Sequence, residues 1–177
     1  MTIEYKINEQ DFIDFQLFTA SKSDRINRKK KTERILLTIG SFIIALCFYL
    51  THNTPMMIYF GLVAVVCGLF YPKYFVWRYK KYYKSHIKEY YSKRFGQTER
   101  IEINNDSVFL KDKIGEGKIN LSEIDKIDET NDHFFLKVST GVSLIIPKRE
   151  IPNPYVVRDK FADIGLRVND ETNWKWK

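Results

Sequence analysis

The spacing of hydrophobic positions changes repeatedly along the 177-residue chain. Residues 2–7 alternate as a half-buried strand does, and Phe12, Ile13, Phe15, Leu17 and Phe18 then recur at helical spacing. Asn8, followed three residues later by Asp11, is a capping arrangement that opens this helix. Residues 35–72 follow without one Lys, Arg, Asp or Glu. A single straight helix of that length would reach roughly 57 Å at ~1.5 Å per residue, far beyond a ~30 Å hydrocarbon core. The run is divided at "THNTP", where Asn53 and Pro55 make a turn and Pro55 opens a second helix. Residues 35–50 and 56–71 each lie near the short end of the spanning range, and Tyr49, Tyr59, Tyr71, Tyr74 and Trp77 suit its interfaces. The pattern predicts a transmembrane helical hairpin over residues 34–77. The alternative is a hairpin buried in a soluble core.

Beyond it, residues 78–95 read as a basic, aromatic stalk that continues the second helix. At 100° per residue, Tyr79, Tyr82, Tyr83, His86 and Tyr90 share one face, and Lys80, Lys81, Lys84 and Lys88 most of the other. The tyrosine face is expected to pack and the lysine face to be wet. From residue 99 the period shortens to that of strands, at 99–103, 107–111, 117–120, 124–129, 133–139 and 142–146. Turn residues separate them, notably Asn104-Asn105-Asp106, Asn131-Asp132 and Thr140-Gly141. This antiparallel meander ends at Pro147, and a helix begun by Asn153-Pro154 stops near Gly165. The predicted class is α+β: a two-helix transmembrane hairpin plus a small antiparallel β domain capped by a C-terminal helix. A pleckstrin-homology-like curved sheet or barrel fits that order of elements by analogy. Residues 1–33 form an N-terminal strand and helix, residues 96–177 the β-rich part. If the N-terminal strand joins the sheet, the hairpin is an insertion within one domain.

Charge changes the picture by its location. The chain's formal charge of +7 suggests a nucleic-acid binder. Yet residues 21–34 carry seven bases against two acids, and residues 73–95 eight bases against one, while the remainder is mildly acidic. Both basic blocks flank the apolar run and the connecting turn has none, so the positive-inside rule places both termini in the cytoplasm. The expected location is the cytoplasmic membrane, and no nucleic-acid partner is expected. A long charged segment precedes the run, unlike a secretory signal peptide. Within the hairpin, Ser41-x-x-x-Ala45 and Ala64-x-x-x-Gly68 fall at matched depths, Ser41 with Gly68 and Ala45 with Ala64, where two backbones can approach closely. Cys47 and Cys67 differ in depth, which disfavours a disulfide.

The segment "KINLSEIDKIDETNDHFFLKVSTGVSLIIPKREI" resembles the C-terminal domain of YcxB-like bacterial membrane proteins. Ser122-Glu123-Ile124-x-Lys126-Ile127 and Ile146-Pro147-Lys148-Arg149 carry the resemblance; Tyr5-x-Ile7, Asp11-Phe12 and the paired apolar segments match the family's layout. Leu121 stands where an aromatic commonly precedes the Ser-Glu-Ile segment. The resemblance implies membrane location and this domain layout, and brings no activity or catalytic residues.

The residue inventory offers little chemistry. His52, His86 and His133 are scattered, and His86-x-x-Glu89 lacks the second histidine of a zinc helix. Glu123, Asp125, Asp128, Glu129 and Asp132 cluster in sequence, but alternation would put several on a solvated strand face. No cofactor or metal is expected. Candidate contacts for anionic lipid or a partner are Lys80, Lys81, Lys84, Lys88, Lys148 and Arg149. For the last two the alternative is pairing with Glu150 or another acid of the domain. Trp174 and Trp176 are expected to dock on the sheet. The favoured reading is a non-enzymatic, two-span membrane protein with a cytoplasmic interaction domain that binds a protein partner or lipid headgroups. The alternative is a membrane-bound enzyme or enzyme accessory subunit using the acidic strand region.

Overall fold

Strand β1 (Thr2–Lys6) alternates as expected, with Ile3 and Tyr5 buried. It pairs antiparallel with β2 (Thr98–Ile103), Ile3 opposite Ile101 and Tyr5 opposite Glu99. Burial, with the Glu99 carboxylate beside it, pushes the Tyr5 phenol far up. Strands β3 (Ser107–Lys111) and β4 (Glu116–Asn120) extend this sheet in the order β1-β2-β3-β4. The computed structural model describes residues 1–113 and 115–176. It divides into two compact units, Met1–Phe15 with Lys84–Lys175, and Gln16–Tyr83 with Trp176. The β1–β2 pairing thus makes residues 16–83 an interruption of the first unit's sequence.

A second sheet in the first unit has the order β7-β6-β5-β8, built from β5 (Ile124–Glu129), β6 (His133–Val138), β7 (Ser143–Pro147) and β8 (Val168–Asp170). Two expectations need correction. The described strands form two four-stranded sheets and no closed barrel, because the chain makes a 3-10 turn at Leu121–Glu123 between them. The β domain is also not wholly antiparallel: the predicted meander is, but β8, a strand the sequence reading lacks, runs parallel to β5, with Ile127 opposite Val168. A parallel neighbour needs a crossover. Helix α4 (Pro154–Asp163) precedes it, with Asn153 capping its first turn and Gly165 turning the chain at φ 80°. Strand β8, three residues with one apolar side chain, is too short for any periodic pattern to mark it. The core comprises Ile101, Ile103, Val108, Ile127, Leu136 and Ile146, and Phe134 packs edge-on against Phe161 of α4 at 5.9 Å.

Helix α1 (Glu9–Lys22) leads to α2 (Asp24–Leu50), which Ser23 caps by accepting from the Ile26 N–H. The turn places His52 at φ 55°, and Asn53 Oδ1 accepts from the Met56 N–H as α3 (Thr54–Tyr91) begins. Helix α3 continues through Pro72 into the predicted stalk. Proline removes the N–H that would serve the carbonyl four residues back, here that of Gly68. Arg34 of α2 fills the vacancy, its Nε donating to Gly68 O at 2.8 Å. The two helices are long and apolar enough to cross a membrane.

Ala45 and Ala64 are buried and Ser41 is half-buried. The neighbour of Gly68 differs from the expected Ser41. A Cβ built on Gly68 would meet Thr38 Cγ2 at 3.6 Å, because Arg34 reaches inward to the Gly68 carbonyl and shifts α2 by about a turn against counts made from the basic flanks. Cys47 and Cys67 are free thiols.

Candidate functional site

The first unit contains an open cleft of about 840 Å³ between the start of α1, the ends of β5 and β6, and the turn after β7. Its floor is built by local capping. Asn8 Oδ1 accepts from the Asp11 N–H at 3.0 Å, and Asp11 Oδ2 accepts from the Asn8 N–H at 2.7 Å, the reciprocal cap expected from the sequence. The same carboxylate, 1 % exposed, takes a two-pronged contact from Arg149, with Nη2 donating to Oδ2 at 2.8 Å. His133, 3 % exposed, contributes Nε2 at 2.8 Å from Oδ1. An ionised carboxylate only accepts, so His133 Nε2 carries the proton. Burial alone would push the Asp11 carboxyl up, but these donors outweigh it and hold its pKa at about 2.

The register explains the meeting. His133 stands opposite Pro147 in the β6–β7 ladder, so Lys148 and Arg149 emerge beside it. Lys148 Nζ donates to Glu129 Oε1 at 2.7 Å and lies 4.8 Å from the Phe134 ring centre. Arg158 Nε lies 3.4 Å from Glu129 Oε2, an oxygen that is buried without a hydrogen bond. The lining acids Asp11, Asp14, Glu129, Asp132 and Asp170 outnumber the bases Lys148, Arg149 and Arg158.

Lys148 and Arg149 are therefore engaged by acids of their own domain, the arrangement weighed against a lipid role from the sequence. The acidic strand region divides: Glu123, Asp125 and Asp132 are exposed as expected, and the other two acids are not. Asp128 and Glu129 are buried, Asp128 meeting Lys126 at 2.7 Å and Asn169 of β8 at 2.9 Å, since β8 covers the edge of β5. Among the described residues no three His, Cys, Asp or Glu converge to hold a metal ion. The sequence reading named Glu129 only within the acidic cluster and His133 only as a scattered histidine, and it missed Arg158 and the second role of Asp11. Only the capping signal pointed at Asp11, and nothing local signals a partner on a distant strand.

On α3, Lys80, Lys81, Lys84 and Lys88 are exposed as expected, Lys81 lying 5.5 Å over the Trp77 ring. The tyrosine face is corrected. Tyr82 and Tyr90 are exposed, whereas Phe75 and Ile87 are fully buried, so the packed stripe steps by four through Phe75, Tyr79, Tyr83 and Ile87. Trp176 packs edge-on against Tyr79 at 5.8 Å, so this tail residue docks on α3 and not on a sheet.

Residues 103–154 match the model of the YcxB-like protein family. The YcxB-like match runs from the end of β2 through β7 to Pro154, the first residue of α4. It takes in Glu129, His133, Lys148 and Arg149, whereas Asp11 and Arg158 of the cleft lie outside it. No curated protein matches the chain.

Proposed function

We propose that the chain is a two-span protein of the cytoplasmic membrane, both termini inside, whose YcxB-like unit is a non-enzymatic interaction module. The carrying observation is the exposure of large apolar side chains along both long helices, Leu36 and Leu50 of α2 and Leu62 and Leu69 of α3 each being more than 60 % exposed. A hairpin serving as a soluble core would bury such residues, and apolar surface of this extent needs another apolar phase. Basic blocks at the outer ends of both helices support the orientation. The non-enzymatic reading rests on the pairing of the cleft's two buried carboxylates, Asp11 with Arg149 and His133, Glu129 with Lys148 and Arg158. Partners of the module are anionic lipid headgroups or another protein. Alkaline carbonate extraction tests the membrane assignment; the chain stays in the pellet, and release into the supernatant would refute it.

A second reading, an enzyme or accessory subunit working at the cleft, is favoured by its concavity and by the buried Glu129 oxygen without a hydrogen bond. Thermal melts separate the two. Structural pairs predict that Glu129→Gln and Asp11→Asn both lower the melting temperature. A rise for Glu129→Gln would mark the strained carboxylate of a working site and support the second reading.

A further inference from the structure

The second unit carries a hollow of about 540 Å³ where the basic ends of α2 and α3 meet, lined by Arg25 and Lys29 of α2 and by Arg78, Tyr79, Tyr82 and Tyr83 of α3, with Ser23 and Ile26 completing it. We propose that this hollow binds the phosphate of an anionic phospholipid headgroup. The proposal rests on the membrane reading above and gives it a site distinct from the lysine face of α3.

Its lining holds three cations and no acid. Among the described residues Arg25 and Arg78 form no ion pair, and Lys29 reaches Glu33 only at 3.9 Å across an exposed helix turn. Glu33 is itself engaged, accepting the Tyr71 hydroxyl. Three like charges sharing one concavity repel one another unless an anion joins them. The start of α2, a 27-residue helix, adds the positive end of its dipole beside Ser23, whose hydroxyl caps the Ile26 N–H, with Asp24 the one acid of that first turn. Two guanidinium groups suit a tetrahedral phosphate because each offers paired donors. Burial, with Tyr79 and Tyr82 alongside, pushes the Tyr83 phenol up, and a phenol hydroxyl is a hydrogen-bond donor.

Depth selects a lipid over a free anion. Lys29 lies six residues before the uncharged run and Arg78 six residues after it, with Arg25 one helix turn farther out. At ~1.5 Å per residue the first two sit ~9 Å outside the apolar stretch, next to a headgroup layer ~5–8 Å thick on each side of the hydrocarbon. Basic pockets between membrane helices on the cytoplasmic side are a recurrent form of anionic headgroup site. The lysine face, by contrast, points four exposed ammonium groups at solvent.

The test uses the full chain purified in a neutral detergent and compares the melting temperature with added phosphatidylglycerol, phosphatidylcholine or inorganic phosphate. Phosphatidylglycerol is expected to raise it above the phosphatidylcholine value, and R25Q/R78Q to abolish that difference. K80Q/K81Q/K84Q/K88Q is expected to keep it. Arg25 and Arg78 are exposed, so these changes leave packing intact, and the single variant R78Q serves if the double variant melts without ligand at a lower temperature than the native chain. An equal rise with inorganic phosphate alone, no preference in the native chain, or loss of the preference in the lysine variant with retention in the arginine variant overturns the proposal. A chain that alkaline carbonate releases from membranes refutes the membrane reading itself; one that stays and shows no preference refutes only the site.

Discussion

Asp11 carries two jobs on one carboxylate, capping α1 and receiving Arg149 and His133. Its pKa falls from 3.8 to about 2 on folding. A depressed carboxyl contributes stability that is complete above the unfolded value and disappears as pH falls through the folded one. About 2 kcal/mol should therefore be lost between roughly pH 5 and pH 1. Asp11→Asn should lower the melting temperature at neutral pH and flatten this acid limb; melts across that range check both, and an unchanged limb would show that another group controls it. Along α3, exposure separates residues of similar character. Ile87→Ala should cost about 2–5 kcal/mol, because Ile87 is fully buried, while Tyr90→Ala, at 64 % exposure, should stay within about 0.5 kcal/mol. Paired melts of the two variants decide it. A helical wheel at 100° per residue puts Tyr90 on the packing face, whereas the packed stripe steps by four from Ile87 to Tyr91, whose ring lies 5.0 Å from that of Phe12, and leaves Tyr90 outside it.

At the scale of elements, the hairpin is held by a repair. Pro72 frees the Gly68 carbonyl and Arg34 donates to it; in hydrocarbon an unsatisfied carbonyl costs several kcal/mol. Arg34→Met should therefore destabilise the native hairpin more than it destabilises the Pro72→Ala variant, in which the substituted alanine supplies an N–H for that carbonyl. A double-mutant cycle read by thermal melts in detergent should give a coupling of about 0.5–3 kcal/mol, and additive losses would disprove the repair. The glycines of the same hairpin differ in surroundings. Gly68 faces Thr38 at ordinary van der Waals distance, so alanine fits but leucine overpacks, whereas Gly40 faces open space. Gly68→Leu should cost roughly 1–3 kcal/mol more than Gly40→Leu. Equal losses in a proteolysis or melting comparison would remove the close approach.

For the whole molecule, the expected arrangement is a pair of membrane spans whose two flanks share one side. Reporter fusions at the N- and C-termini should both report the cytoplasm, and opposite reports would break the positive-inside argument. The lysine face is expected to set orientation together with Lys73, Arg78, Lys93 and Arg94, so replacing Lys80, Lys81, Lys84 and Lys88 by Gln should leave both reports unchanged. The pairing of β1 with β2 has a consequence at this scale. A fragment lacking the first 33 residues loses the edge strand of one sheet together with Asp11, the partner of Arg149 and His133.

Local signals are strong where one segment decides its own structure. The uncharged run, its break at Asn53–Pro55, the Asn8–Asp11 cap, the Asn153 cap and the alternation of β1 are all legible because period, charge and capping act over a few residues. The YcxB-like segment is legible for the same reason, as a continuous stretch. Tertiary structure alone decided the rest. Strand β8 becomes a strand because β5 offers it an edge, and Asp128 and Glu129 become buried once it does. Thr38 replaces Ser41 at Gly68 because one arginine answers a proline on another helix. The cleft joins Asp11 to His133 and Arg149 because a sheet register and a helix start happen to meet. Pairings between distant segments depend on where each backbone goes, and no local pattern in the residues encodes that.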